Sequence, residues 1–293
     1  MFENVLLALE PGPKAYEVIE CVEGLRVFGT RNFLLVQCLS LGAAVAAGYE
    51  QTLDLLVEEL ERLKDFLEEA GFSVETAKVA GSPHREINRL MKEKGSNLVI
   101  VGPQFDTQVG EILFGGVAAD VIHHPPGPVL VVRPLVAGDP PEPCPAGVTC
   151  DFAPHILFPT DFSRNSEEAF RCVERMAPAV KRITLLHVHD RTAIEPHLKD
   201  RLEEFDAHDQ ERLRDLKDKL EKAGAAEVRT IIRYGVPTAE LLTFLEQEEV
   251  SLVVMGSQGR GRIAEIFLGS LSHNLVRHSP VPVLLIPPME EPV

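Results

Sequence analysis

The second half of the sequence repeats the first, and this duplication restricts the architecture more than any other feature. Five short segments recur in the same order, two at an offset of 151 residues and three at an offset of 154. The matched pairs are Val5–Glu10 with Ile156–Asp161, Phe33–Gln37 with Thr184–Val188, Gly81–Pro83 with Gly235–Pro237, Leu98–Gly102 with Leu252–Gly256, and Pro126–Val132 with Pro280–Ile286. Because such collinearity is hard to obtain by chance, the chain is predicted to contain two copies of one domain.

Each copy alternates short apolar segments with amphipathic ones, a pattern typical of α/β folds. The apolar segments are bounded by turn residues, as expected for strands of a parallel sheet that is covered on both faces. One long helix in each copy is marked by leucines at helical spacing, namely Leu53, Leu56, Leu60, Leu63 and Leu67, and then Leu213, Leu216 and Leu220. The sequence predicts two doubly wound, five-stranded parallel-sheet domains, over residues 1–134 and 155–293, joined by a Pro-rich linker over 135–154.

Length and charge limit the partners of the chain. With 293 residues it is long enough for two domains of ordinary size. Its formal net charge of −16 repels nucleic acid and anionic lipid over most of the surface. No apolar run approaches the roughly 20 residues that span a bilayer, and Met1–Leu9 lacks the basic region and cleavage site of a signal peptide. We therefore expect a soluble cytoplasmic protein that binds neither nucleic acid nor membrane.

The five cysteines are predicted to be free of metal. Cys21, Cys38 and Cys172 lie in apolar runs and are expected to be core thiols. Cys144 and Cys150 lie in the linker, where two ligands are too few for a metal site. A disulfide between these two linker cysteines is disfavoured in a reducing compartment.

The histidines are likewise expected to hold no metal ion. His187 and His189 alternate along a predicted strand and are expected to face opposite sides, so that they cannot both bind one ion. The pair His123 and His124 precedes Pro125, is expected to have no nearby carboxylate and is predicted to be a surface turn.

A glycine-rich loop follows the apolar segment Ser251–Met255 and precedes a predicted helix. Two residues separate Gly256 from Gly259, and nine separate Gly259 from Gly269, which Ser270 follows. Gly256 and Gly259 can adopt positive φ and let a phosphate approach the backbone closely. A strand, a glycine loop and a helix start together present backbone N–H groups to an anion.

The second copy resembles the universal stress protein family, and the whole chain resembles a tandem member of it. The segments that carry the resemblance are Pro159–Ser163, Leu186–Val188, Gly235–Pro237 and the loop from Gly256 to Ser270. The nucleotide-binding branch of the family uses a Gly-x2-Gly-x9-Gly-Ser/Thr pattern, which is kept here, although Gln258 stands where histidine is common. The resemblance implies an adenine-nucleotide alpha hydrolase-like fold.

The resemblance also implies a site for ATP or AMP in the second copy. Adenine would lie between Asp161 and Val188, and any Mg²⁺ would arrive with the triphosphate. The implied site residues are Pro159, Thr160, Asp161, Val188, Met255, Gly256, Gln258, Gly259, Arg260, Gly269, Ser270, Leu271 and Ser272. Two alternatives remain open: Asp161 or Ser163 could simply cap the next helix, and Arg260, like Arg262, could be solvated rather than bound to the outer phosphates.

The first copy departs from the nucleotide-binding pattern. Ala8–Pro11 replaces the Pro-Thr-Asp-Phe stretch, and Phe105 brings a large side chain to the position of Gly259. Pro103 removes one N–H that could bind an anion, and Gly116 lacks the hydroxyl of the matching serine. We expect nucleotide in the C-terminal domain only, at one per chain.

These features favour a nucleotide-binding regulator or sensor of the stress response that is not an enzyme, although slow hydrolysis of ATP remains compatible. The loop lacks the lysine that a P-loop carries. One alternative is a nucleotidyl-transfer or ATP-pyrophosphatase enzyme, which Pro159–Ser163 argues against. Another is an interaction module that binds no nucleotide. The last apolar strands, Val129–Val132 and Val281–Ile286, are expected to pair the two domains as an intramolecular pseudo-dimer, and two chains could form a homodimer.

Overall fold

The computed structural model describes residues 1–9, 13–39, 49–102, 104–105, 112–113, 116–132, 136–137, 142–143, 150–190, 202–259 and 268–288. The chain forms two compact units, Met1–Asp151 and Phe152–Val293. Most of the predicted linker lies outside the described residues. Each unit contains a five-stranded parallel sheet with helices in the connections, so the predicted fold class is confirmed.

The first unit has a five-stranded sheet in the order β3-β2-β1-β4-β5, in which all four pairings are parallel, besides two short antiparallel pairs, Gln104–Phe105 with Ile112–Leu113 and Val136–Ala137 with Glu142–Pro143. Its strands are β1 (Asn4–Leu9), β2 (Asn32–Leu39), β3 (Ser73–Ala80), β4 (Leu98–Val101) and β5 (Val129–Val131), and its helices are α1 (Pro13–Val22), α2 (Tyr49–Glu69), α3 (Pro83–Lys94) and α4 (Gly116–His123). A 3-10 helix over Glu23–Phe28 follows α1. The central strands β1 and β4 are almost wholly buried, as the apolar runs predicted.

The second unit repeats this order as β8-β7-β6-β9-β10, again with parallel pairings throughout. Its strands are β6 (His155–Pro159), β7 (Arg182–Asp190), β8 (Val228–Gly235), β9 (Leu252–Gly256) and β10 (Val283–Ile286), and its helices are α5 (Arg164–Met176), α6 (Leu202–Lys222), α7 (Pro237–Gln247) and α8 (Ser270–His278). The register pairs Ile156 with Leu252 and Pro159 with Leu186. The ends of β6, β7 and β9 therefore lie side by side.

The core of the second unit forms where β6 and β9 pack against α5. Phe158 is fully buried, and its ring meets that of Phe170 edge-on at 5.8 Å. The predicted leucine face of α6 is confirmed at Leu213 and Leu220, which are buried, whereas Leu216 is half-buried.

The two Gly-x-Pro turns begin helices in both units. Ser82 and Val236 are the N-cap residues of α3 and α7. Pro83 and Pro237 consequently take the first helical position, where a missing N–H breaks no intrahelical hydrogen bond. These turns fix the start of each helix that follows the third strand.

The cysteines differ from the prediction. Cys21 is not a free core thiol, because it forms a disulfide with Cys150 across 129 residues of the chain. Both cysteines belong to the first unit. Cys172 is a buried free thiol, as predicted, and burial raises its pKa to about 12. Cys38 is half-buried, so it is less enclosed than the predicted core thiol, while Cys144 lies outside the described residues.

None of the helices in the described part of the chain is long and apolar enough to cross a membrane.

Candidate functional site

A cavity of about 600 Å³ opens at the carboxyl ends of β6, β7 and β9 in the second unit. The strand β6 lies between β7 and β9, which is the topological switch point of the sheet, where ligands of open α/β folds bind. All the predicted site residues except Arg260 line this cavity. They are Pro159, Thr160, Asp161, Val188, Met255, Gly256, Gln258, Gly259, Gly269, Ser270, Leu271 and Ser272. Arg260 and Arg262 lie outside the described residues.

Other lining residues were missed by the sequence reasoning. They are Ser166, Leu186, Asp190, Val236, Pro237, Thr238, Leu241 and Leu268. Two of them could have been found, because Leu186 and Asp190 are two residues from Val188 and share its face of β7. The turn at Val236–Pro237 carried the family resemblance but was not assigned to the site. Together these residues make the wall next to β7 and α7 largely apolar.

The glycine loop depends on space rather than on positive φ. Among the described residues, neither Gly256 nor Gly259 has positive φ, so the backbone freedom that glycine offers is not used there. A Cβ atom on Gly256 would lie 2.7 Å from Oδ1 of Asn165, and one on Gly259 would lie 3.1 Å from Oδ2 of Asp161. Gly256 therefore leaves no room for a side chain beside α5, whereas a side chain at Gly259 would require the Asp161 carboxylate to shift slightly.

Asn165 holds the loop in place, and no motif pointed to it. Its side chain is buried at the start of α5. The backbone N–H of Gln258 donates to its Oδ1 at 2.9 Å, and its Nδ2 donates to the carbonyl of Ile286 at 3.1 Å. One amide therefore connects the glycine loop to the end of β10, which fixes the direction of the backbone that lines the cavity.

Replacing Asn165 by alanine should lower the free energy of unfolding by about 1–3 kcal/mol, because the Gln258 N–H loses this acceptor and the Ile286 carbonyl keeps only the Ser257 N–H. Chemical denaturation followed by circular dichroism measures this loss. Asn274→Ala is the matched control, since its side chain also donates to a backbone carbonyl but is exposed to solvent. Equal effects of the two substitutions would contradict the anchoring role of Asn165.

The turn after β6 places Asp161 at the wall of the cavity. Its Oδ1 accepts from the backbone N–H of Ser163 at 2.9 Å, and Phe162 between them has φ of 58°. Ser163, not Asp161, is the N-cap of α5, because its hydroxyl oxygen accepts from the N–H of Ser166. Asp161 is thus held by the turn rather than by capping the helix, with Oδ2 on the side of Gly259.

The start of α8 closes the opposite side of the cavity. Gly269 is the N-cap residue and has no side chain that could accept a capping hydrogen bond from the first turn of α8. Ser270, Leu271 and Ser272, the first residues of the helix, line the cavity. The N–H groups of a first helical turn have no intrahelical acceptor, and the helix dipole adds partial positive charge there. This end of the cavity is therefore suited to an anion.

The corresponding loop of the first unit packs differently. A Cβ atom on Gly102, the residue that matches Gly256, would lie 2.6 Å from Cγ2 of Val18. An apolar side chain therefore lies where the second unit has the amide of Asn165. Pro103 lies outside the described residues, as do Glu10 and the side chain of Phe105, so the proposed obstruction there stays a prediction.

Two histidines on β7 lie together on the face opposite the cavity. The prediction that His187 and His189 point to opposite sides is wrong, because residues two apart in a strand share a face. Their rings are 4.9 Å apart, and both side chains are buried. Asp209, from α6, completes a group whose possible metal-ligand atoms all lie within 4.8 Å of one another. His187 and His189 can therefore contribute to one metal site.

A second histidine group, in the first unit, corrects the prediction for His124. Asp120, one turn earlier in the chain, lies 3.4 Å from its Nδ1, so a carboxylate is nearby. The His124 ring stacks on that of His84, whose Nδ1 is 3.0 Å from both oxygens of Asp120. This group is more exposed than the one on β7.

The fold and the cavity define a doubly wound α/β protein in two repeats, with a glycine loop and a helix N-terminus at the switch point of the second. The sequence model of the universal stress protein family matches residues 1–133 and 153–287. The chain therefore belongs to the universal stress protein family.

Individual relatives agree with this assignment. The universal stress protein MJ0577 of Methanocaldococcus jannaschii is 31% identical over 151 residues, which cover 45% of this chain and 93% of the relative. The universal stress protein YxiE of Bacillus subtilis is 37% identical over 74 residues, or 25% of this chain and 49% of the relative. A universal stress protein of Archaeoglobus fulgidus shares the fold over 98% of this chain and 99% of its own, with a TM-score of 0.72 and 21% identity.

Proposed function

We propose that the second unit binds an adenine nucleotide, ATP or AMP, in the cavity at the ends of β6, β7 and β9. The observation that carries the proposal is the convergence of the glycine loop and the start of α8 on one cavity. Its volume of about 600 Å³ lies within the range that small-molecule sites occupy. Phosphates would lie against the loop and α8, where backbone N–H groups and the helix dipole favour negative charge.

The base would lie at the other end of the cavity, between Asp161 and Val188. That wall is apolar at Leu186, Val188 and Leu241, and a flat aromatic base gains by leaving water there. Asp161 supplies a carboxylate, and the backbone of Val188 supplies hydrogen-bonding groups, which together can distinguish the exocyclic amine of adenine.

We propose that nucleotide binds in the second unit only. Val18 beside Gly102 cannot accept the hydrogen bond that Asn165 accepts from the loop. Leu9, which matches Thr160, is a buried apolar residue at the end of β1. The first unit therefore lacks two polar groups that shape the cavity of the second.

We further propose that the protein works as a regulator or sensor in the stress response rather than as an efficient enzyme. No lysine or arginine of the described residues lines the cavity, whereas P-loop enzymes place a lysine against the outer phosphates. Slow hydrolysis of ATP remains compatible with this proposal. Location in the cytoplasm, pairing of the two units through their last strands, and association of two chains stay predictions.

Calorimetric titration of the nucleotide-free protein with ATP and with AMP is the direct test. We expect one binding site per chain for whichever nucleotide binds, and mass spectrometry of the purified protein should identify any that is retained. A stoichiometry near two would show that the first unit also binds. No binding of either nucleotide would support the alternative of an interaction module that works without nucleotide.

A further inference from the structure

We propose that His187, His189, Asp206 and Asp209 form a zinc-binding site between β7 and α6, on the face of the sheet opposite the nucleotide cavity. The two histidines lie on one face of β7, and the two aspartates are three residues apart on α6, which places them on one face of that helix. All four residues belong to the second unit. The inference is independent of nucleotide binding.

The distances between these side chains match a tetrahedral site. Nε2 of His187 is 3.5 Å from Oδ2 of Asp209, and Nε2 of His189 is 3.6 Å from the same oxygen. Nε2 of His189 is also 3.2 Å from Oδ1 of Asp206. Two ligand atoms bound to zinc at about 2.0–2.1 Å, with tetrahedral angles between them, are about 3.4 Å apart. The ligand atoms of His187, His189 and Asp209 all lie within 4.8 Å of one another, so an ion fits between them. Oδ1 of Asp206, beside His189, would move toward the ion to become the fourth ligand.

The protonation state of His187 directs a lone pair toward this point. Its Nδ1 lies 2.7 Å from the carbonyl oxygen of Thr160. Because a carbonyl oxygen only accepts hydrogen bonds, Nδ1 carries the hydrogen, and in the neutral ring Nε2 is left with its lone pair. That lone pair and the oxygens of Asp209 would repel each other across the gap unless a proton or a metal ion lay between them.

His189 and Asp206 provide a second, independent indication. Within the described part of the chain, neither Nε2 of His189 nor Oδ1 of Asp206 has a hydrogen bond, although both atoms are buried. The His189 side chain is only 5% exposed. A buried polar atom without a partner is costly, since it has given up its hydrogen bonds with water. Coordination to one ion would satisfy both atoms.

The surroundings resemble the outer partners that orient metal ligands. The Thr160 carbonyl fixes the ring of His187, and the Tyr234 hydroxyl donates to Oδ2 of Asp206. The ring of His189 stacks on that of Tyr234, with ring centroids 5.4 Å apart. Nη1 of Arg212 lies 3.5 Å from Oδ1 of Asp209 and leaves its other oxygen directed at the histidines. Such contacts set the orientation and the tautomer of ligands before the ion binds.

The ligand set favours zinc over the ions of phosphate chemistry. Two imidazole nitrogens and two carboxylate oxygens in a tetrahedral arrangement suit Zn²⁺. Mg²⁺ and Ca²⁺ prefer six or more oxygen ligands and bind such a set poorly. The proposed ion is therefore distinct from any Mg²⁺ that accompanies a triphosphate in the nucleotide cavity.

Zinc binding is best measured on the full chain without an affinity tag and without nucleotide, after metal has been removed with EDTA. Competition with a chromophoric chelator gives the affinity for Zn²⁺, and we expect one tight site per chain. His189→Gln should weaken this site more than the roughly 10–100-fold that loss of an outer partner costs. His208→Gln is the matched control, because His208 is exposed on the same helix, and it should bind like the wild type.

Two further measurements test whether zinc is bound at these four residues. His84→Gln reports on the histidine group of the first unit and should leave the tight site unchanged. If His189→Gln fails to fold, X-ray absorption at the zinc edge of the wild-type complex should still show two imidazoles and two oxygens at about 2.0–2.1 Å. Absence of zinc binding by the wild type, equal affinity of His189→Gln, or a spectrum without imidazole would each overturn the proposal and leave a protonated histidine–aspartate cluster.

Discussion

Replacing Gly269 by glutamate is expected to weaken binding of ATP or AMP by at least about 100-fold, because like charges brought together at a binding site cost several kcal/mol. The new carboxylate would lie at the start of α8, where free N–H groups and the helix dipole attract it. It would therefore occupy the place proposed for a phosphate. Titration calorimetry of the variant measures the loss of affinity directly.

The fold should tolerate this substitution, which makes the result interpretable. Gly269 has φ of −67° and ψ of 155°, an extended conformation that any residue adopts. A Cβ atom there would lie 3.5 Å from the nearest backbone atoms, at ordinary van der Waals distance. Gly269→Ala is the matched control and should change the binding free energy by no more than about 0.5 kcal/mol. Unchanged affinity of the glutamate variant would show that no anion binds at α8.

Substitution of Gly256, in the same loop, is expected to have a different effect, because the space around the two glycines differs. A Cβ atom on Gly256 would lie 2.7 Å from Asn165, so even alanine would displace the amide that anchors the loop. The sequence identified both glycines by their spacing, but it could not distinguish a glycine that is tightly packed from one that is not. That difference arises from α5, which is remote from the loop in the sequence.

The features predicted correctly are those that a single segment or a repeat reveals. Short apolar runs predicted the strands, the offsets of 151 and 154 predicted the duplication, and the glycine spacing located the loop. Each of these signals lies within one short segment or recurs in both halves of the sequence. The parallel sheet then follows, because strands joined by helical crossovers in a fold of this class lie parallel.

The features that were missed depend on contacts between distant segments. Asn165 and Gln258 are 93 residues apart, and Asp209 reaches His187 from another element. No spacing rule connects such pairs before the fold is known. The error over His187 and His189 was different, since their period of two already indicated a shared face.

Removal of the disulfide between Cys21 and Cys150 is expected to lower the free energy of unfolding of the first unit by about 2–5 kcal/mol. The bond closes a long loop, with a sequence separation of 129 residues. In the chain-entropy description such a crosslink stabilises mainly by restricting the unfolded chain, and the effect increases slowly with loop length. Guanidinium denaturation with and without reductant measures the difference.

The double variant Cys21→Ala/Cys150→Ala separates this effect from general sensitivity to reductant. It should unfold at the same denaturant concentration with and without reductant, whereas the wild type should unfold at a lower concentration when reductant is present. Cys38→Ala, which removes a half-buried cysteine that takes no part in this disulfide, should retain the response of the wild type. Because both bonded cysteines lie in the first unit, hydrogen exchange should increase in peptides from residues 1–132 and remain unchanged around the nucleotide cavity. Two results would show that this crosslink does not stabilise the protein in solution. One is a non-reducing digest that contains no linked Cys21–Cys150 peptide, and the other is a wild-type unfolding midpoint that reductant does not change.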